Sequence, residues 1–157
     1  MLLQLEPIVR RAGRMMLDAV KPRIHTKEGH YNFVTETDVQ VQEYLRQELL
    51  TLLPGSVLLS EEQENRRLST ASTWILDPID GTVNYMRGRR FSCVSVALLE
   101  GKTPILAMVY DPFSDELFTA RKGQGSWLNG KPIHVSAFPM EKALITIGTT
   151  PYEPELA

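Results

Sequence analysis

Two aspartates three residues apart, Asp77 and Asp80, follow the apolar run Trp74-Ile75-Leu76 and lead into Gly81-Thr82. A carboxylate pair leaving a buried strand, then a Gly-Thr turn into a helix start, suits a hard cation held beside an anion. Three further acids, Asp38, Glu61 and Glu62, also sit where apolar runs meet loops. If the strands carrying Glu61 and Asp77 are neighbours, the acids converge at one end of a sheet. Carboxylates that close repel unless protons or cations intervene. An all-oxygen set points to Mg²⁺ or a similar hard ion, not zinc. No His/Cys cluster competes, because His25, His30 and His134 are scattered.

Each residue also has an ordinary explanation. Asp77 and Asp80 could form turns, since Asp is common before Gly. Glu61 and Glu62 could be solvated charges at a strand end. Thr35-Glu36-Thr37-Asp38 fits a capping box, with Thr35 as cap and Asp38 reaching back; a helix start can also fix a catalytic acid. Gly81 and Thr82 could be a plain helix cap. They could equally present free N–H groups to a phosphate, with the Thr82 hydroxyl holding or helping to activate a water. Arg87, Arg89 and Arg90 read first as solvated basic surface and second as an attractor for phosphorylated substrate. Cation plus phosphate pocket suggests hydrolysis by a metal-activated water. No Ser/His/Asp or Cys/His nucleophile set is visible, so direct attack by water fits better than a covalent intermediate.

The elements that must position these groups follow from periodicity. Leu5, Ile8, Val9, Ala12, Met15, Met16 and Ala19 share helical spacing. Pro7 suits a first turn and Pro22 ends the helix. Lys27 to Asn32 reads as loop. A second helix starts near Thr35, with Val41, Tyr44, Leu45, Leu49 and Leu52 on one face and Pro54-Gly55 as its stop. Val57-Leu58-Leu59 is a short strand, and Gln63 to Thr73 is a polar connection. Strands are expected at Cys93–Leu99, Ile105–Tyr110, Glu116–Arg121, Ser126–Leu128 and Ile133–Val135, with tight turns at Glu100-Gly101-Lys102 and Asn129-Gly130. The fold class is therefore α+β, an antiparallel sheet covered on one face by two helices. Residues 1–142 form this domain. Ala143 to Thr149 reads as a strand opening a second unit within 143–157, and as an edge through which the chain could self-associate.

At 157 residues, 43% apolar and 23% charged, the chain is long enough for one domain with a real core. A net charge of -2 offers no bulk basic field for nucleic acid or anionic membrane. No apolar run approaches the ~20 residues of a membrane span. MLLQLEPIVRR lacks the basic lead and long apolar core of a signal peptide. Cys93, expected to be a buried thiol, is the only cysteine, which precludes an internal disulfide. Together these points favour the cytoplasm.

The string Asp77-Pro78-Ile79-Asp80-Gly81-Thr82, with Asn84-Tyr85 in place of the common Asn-Phe, resembles the inositol monophosphatase family of lithium-sensitive, magnesium-dependent phosphatases. Glu61-Glu62, Val34 to Asp38, Phe118 to Gly123 and Asn129-Gly130 resemble its other motifs. The resemblance implies that Glu61, Asp77, Asp80 and the Ile79 carbonyl ligate Mg²⁺. Asp38 and Thr82 would orient and activate the attacking water, Glu62 would support a second metal-bound water, and Gly81 and Thr82 would offer amides to the phosphate. It implies the N-terminal half of the layered sugar-phosphatase fold, a small phosphorylated substrate and a homodimer. Three positions depart from the pattern: Asn32 stands where the family often has Asp, and Arg89-Arg90 replaces a more apolar pair. The family's C-terminal half, with a Trp-Asp motif that binds a second metal, has no counterpart here, so weak or no turnover is expected of this chain alone. Nucleotide 3′-phosphatases and fructose bisphosphatases are rivals within the superfamily. A non-catalytic metal- or partner-binding domain is the rival outside it.

Overall fold

Helical spacing near the N-terminus produces α1 (Leu2–Asp18), with Leu5, Val9, Ala12, Gly13 and Met16 buried. The computed structural model describes residues 1–19, 24–26, 33–60 and 72–144, with the backbone alone at 24–26 and 33. Pro22, Lys27 to Asn32, Glu61, Glu62, the connection up to residue 71 and the expected strand from Ile145 onward lie outside the described residues. Pro7 falls in the second turn of α1 and not the first, where its missing N–H frees the carbonyl of solvent-exposed Leu3.

The second helix, α2 (Glu36–Leu52), starts where expected and buries Val41, Leu45 and Leu49. Ahead of it, β1 (Ile24–Thr26) and β2 (Phe33–Thr35) form a small antiparallel pair. Among the described residues the main sheet holds seven strands in chain order: β3 (Val57–Ser60), β4 (Ser72–Asp80), β5 (Cys93–Glu100), β6 (Thr103–Asp111), β7 (Glu116–Arg121), β8 (Gly125–Leu128) and β9 (Lys131–Ile133). A short helix, α3 (Thr82–Met86), follows β4.

The α+β reading holds, with three corrections. The sheet is mixed, because β3 runs parallel to β4 while every later pair is antiparallel. The last strand ends at Ile133, and Val135 is exposed. The strand of the aspartates does not end at Leu76 but continues to Asp80.

Helices α1 and α2 pack on one face of the sheet, over Trp74, Leu76, Val94, Val96, Leu98, Leu106, Met108, Tyr110 and Leu117. On the opposite face Ile75 is 40% and Phe118 37% exposed. Among the described residues no helix is long and apolar enough to cross a membrane.

Gly13 sets how closely α1 approaches the sheet. A Cβ there would lie 2.5 Å from Cε1 of Tyr110 and 3.1 Å from Cβ of Pro112. The Tyr110 ring cannot easily yield. Its hydroxyl donates to Asp115 Oδ1 at 2.9 Å, and the Arg10 guanidinium lies 5.1 Å from the ring centroid. Arg10 also bonds Asp115 at 2.7 Å and Glu6 at 2.9 Å. The Tyr110 hydrogen bond and then Arg10 hold the Asp115 carboxyl below the ordinary carboxylate range. That contribution is present above the ordinary carboxylate pKa and is lost as pH falls through the depressed one. Alanine is favoured over glycine inside a helix by about 1 kcal/mol. Here the contact reverses the sign, and Gly13→Ala is expected to destabilise by about 1–2 kcal/mol in a urea titration. A more stable Gly13→Ala protein would show that α1 does not pack this closely.

Candidate functional site

The two aspartates share a face because β4 carries one extra residue. Asp77 pairs with Ser95 and Asp80 with Cys93, so three steps along β4 match two along β5. In a regular strand, residues three apart point to opposite faces. The bulge restores the phase and puts Asp77 and Asp80 on the side of Ser95 and Cys93, away from the helices. Pro78 is tolerated inside the strand because it falls within this bulge.

Cys93 belongs to this site and not to the core, contrary to the sequence expectation. Strand alternation turns Val94 and Val96 inward and leaves Cys93 half-buried on the open face. Its thiol lies 3.9 Å from Asp80 Oδ2. Burial first, then the carboxylates of Asp80, Asp77 and Asp111, push the thiol up to about 11. It is therefore neutral near pH 7. Asp80, Gly81, Asn84, Ser92, Asp111 and Glu116 help line a hollow of about 360 Å³ here. Sequence reasoning missed Cys93 and Asp111; the register of the β5–β6 hairpin is the signal that would have found them.

Asp38 is 1% exposed, at the start of α2. The capping box is formed. The Thr35 N–H donates to Asp38 Oδ2 at 2.8 Å, the Thr35 hydroxyl donates to the same oxygen, and the Asp38 N–H donates to Thr35 Oγ1 at 3.2 Å. Thr82 completes the link. Its hydroxyl sits 2.9 Å from the Ile79 carbonyl oxygen and 3.3 Å from Asp38 Oδ1. Residues 44 positions apart in the chain thus meet, and the capping and site readings of Asp38 are compatible.

Thr35→Val keeps the side-chain shape and removes both hydroxyl bonds beside a buried acid. It is expected to cost about 2 kcal/mol, visible as a lower urea midpoint. Thr35→Ser should restore most of the loss. Equal midpoints for Thr35→Val and wild type would deny the Thr35–Asp38 link.

Gly81 enters α3 with φ +86°, and a Cβ there would lie 2.7 Å from the Phe91 carbonyl oxygen. Glycine is thus required by conformation and by contact. Tyr85, on the same helix, is buried and donates its hydroxyl to the Met16 carbonyl at 2.8 Å, which ties α3 to the end of α1. Tyr85 entered the sequence reading only as a motif position, because the partner of a buried helix hydroxyl leaves no local pattern. Arg87, Arg89 and Arg90 are exposed, in keeping with a solvated basic surface.

Ser60, the last described residue of β3, pairs with Leu76, immediately before Asp77. Its hydroxyl donates to Gln42 Oε1 on α2. Glu61 and Glu62 lie outside the described residues. Among the described residues, no three His, Cys, Asp or Glu side chains form a metal-holding group. The donors at this end of β4, Asp77, Asp80 and the Ile79 carbonyl, are all oxygen and fit a hard divalent cation.

Comparison with known proteins points to one family. The model of the inositol monophosphatase family matches residues 2–154. Inositol monophosphatase 3 of Solanum lycopersicum is 38% identical over 133 residues, covering 82% of this chain and 50% of that protein. The structure of the extragenic suppressor protein suhB from Bartonella henselae superposes with a TM-score of 0.79 at 28% identity, over 87% of this chain and 55% of that one. An IMPase/NADP phosphatase solved with Mg²⁺ and phosphate superposes with a TM-score of 0.69 at 32% identity, over 82% of this chain and 48% of that one. The chain spans about half the length of the curated relatives it matches.

Proposed function

Since the chain belongs to the inositol monophosphatase family, we propose that it carries the metal- and phosphate-binding part of a Mg²⁺-dependent phosphomonoesterase. The substrate is inositol monophosphate or a related sugar phosphate, and the attacking group is water. The observation that carries this reading is the β4 bulge, which puts Asp77 and Asp80 on one face just before Thr82 turns back to Asp38.

Asp77, Asp80 and the Ile79 carbonyl would hold the cation, together with Glu61. Ser60 faces α2 and pairs with Leu76. Glu61 follows Ser60 directly in the chain, as Asp77 follows Leu76. A divalent cation held there would supply a water of lowered pKa and neutralise charge on the phosphate and the leaving oxygen. The chain's own groups do the rest. Asp38, fixed by Thr35, accepts the proton of the water that Thr82 orients. Glu62 supports a second water. The amides at Gly81 and Thr82, open to close approach because residue 81 lacks a Cβ, hold the phosphate.

In this reading residues 1–142 are the metal- and phosphate-binding unit and 143–157 begin a second one. Turnover by these 157 residues alone is expected to be weak or absent, because the relatives are about twice as long. The test is a phosphate-release panel of inositol monophosphate, fructose 1,6-bisphosphate and a nucleotide 3′-phosphate. It is run with Mg²⁺ on a protein that joins these residues to a C-terminal half from a relative. Preferential hydrolysis of the inositol ester supports the proposal, and preference for either rival moves the assignment within the superfamily. The half-length coverage favours one second reading, a metal-binding domain without catalysis. Saturable Mg²⁺ binding with no hydrolysis of any ester by the joined protein would establish it.

A further inference from the structure

A second hollow, of about 570 Å³, lies apart from the aspartates, between the end of α1, α3 with its following loop, and the β6–β7 turn. Neither Asp80 nor Thr82 lines it. Its volume falls in the range of small-molecule sites. Met16 and Leu17 of α1, Met86 of α3 and Phe113 of the turn give it apolar walls. Methionine side chains reshape easily around an apolar guest. Arg89 and Arg90 also line it, both exposed, and among the described residues no carboxylate does. Among the described residues neither guanidinium makes a side-chain hydrogen bond or ion pair.

We propose that this hollow binds a small organic anion with an aromatic or branched apolar body and an oxyanion head. The apolar walls take the body. The two guanidinium forks take the head, whose planar or trigonal oxygens match them in pairs. An inorganic anion would leave the apolar walls wet, and a neutral aromatic would leave both charges unpaired. The charge on the rim and the apolar floor together define the ligand.

Naphthalene-2-sulfonate is a suitable probe, titrated calorimetrically into the 157-residue chain. Saturable binding of one equivalent is expected, weakened at least about tenfold in R89Q/R90Q. Leu17→Glu, which places a carboxylate at the rim from an exposed position, should weaken it similarly. Inorganic sulfate and naphthalene-2-sulfonamide, which carry the head and the body separately, should each bind at least about tenfold less tightly than the probe. Unchanged circular dichroism and Tm in both variants would exclude unfolding as the cause. Undiminished binding in R89Q/R90Q, no saturable binding by wild type, or equal affinity for the sulfonamide would each overturn the proposal.

Discussion

Replacing Asp80 by Asn is expected to cut phosphate release by the joined protein at least about a hundredfold, or about 3 kcal/mol of transition-state stabilisation. The same change should barely touch the fold. Asp80 is exposed, and among the described residues its one side-chain hydrogen bond is with the Cys93 thiol at 3.9 Å. Its loss is therefore expected to shift unfolding by less than about 0.5 kcal/mol. Asn keeps the size and one oxygen but loses the charge that a hard cation needs. Raising Mg²⁺ should recover part of the activity if the loss is one of affinity. Hydrolysis within about threefold of wild type would mean that Asp80 does not ligate metal, since a lost ligand costs far more.

Gly81→Ala should have the largest effect on stability, a loss of about 3 kcal/mol in urea unfolding, from a left-handed backbone and an overlap with a carbonyl oxygen. Gly88 supplies the control. Its φ is +66°, but a Cβ there meets nothing within 4 Å. Gly88→Ala thus isolates the backbone cost, expected at about 1 kcal/mol. The difference between the two variants measures the approach of Phe91 to the turn. If both cost the same, that approach is looser than 2.7 Å implies. A folded Gly81→Ala protein is also expected to lose phosphate affinity, because the added methyl occupies the turn whose amides would face the anion.

Much of this was legible in the chain. Both long helices followed from spacing and from the Thr35-to-Asp38 capping box, which is formed as read. The hairpins followed from alternation and from Gly101 and Asn129-Gly130 at their turns. The aspartates were legible as residue types but their geometry was not. A bulge adds one residue to a strand without marking which one, so the run was expected to end at Leu76 although it reaches Asp80. The parallel pairing of β3 with β4 was hidden because the chain between them carries no periodic signal. Strands of three residues, as at Ile24–Thr26 and Phe33–Thr35, are too short to display alternation. The Cys93 thiol was assigned to the core from an apolar neighbourhood, whereas its phase relative to Val94 decides its face. The hydroxyl of Tyr85 and the hollow beside it join segments about 70 to 100 positions apart, which local pattern cannot reveal.

The central claim is a hard divalent site at the end of β4. Paramagnetic Mn²⁺ added to isotope-labelled protein tests it directly, because amide signals broaden only near the ion. The account predicts that low Mn²⁺ broadens Ser60, Leu76, Asp77 and Ile79 through Thr82 first, that excess Mg²⁺ reverses this, and that Asp80→Asn abolishes it. Broadening that leaves these signals sharp, or that spreads evenly over exposed acids such as Glu43 and Glu141 and persists in Asp80→Asn, would contradict it.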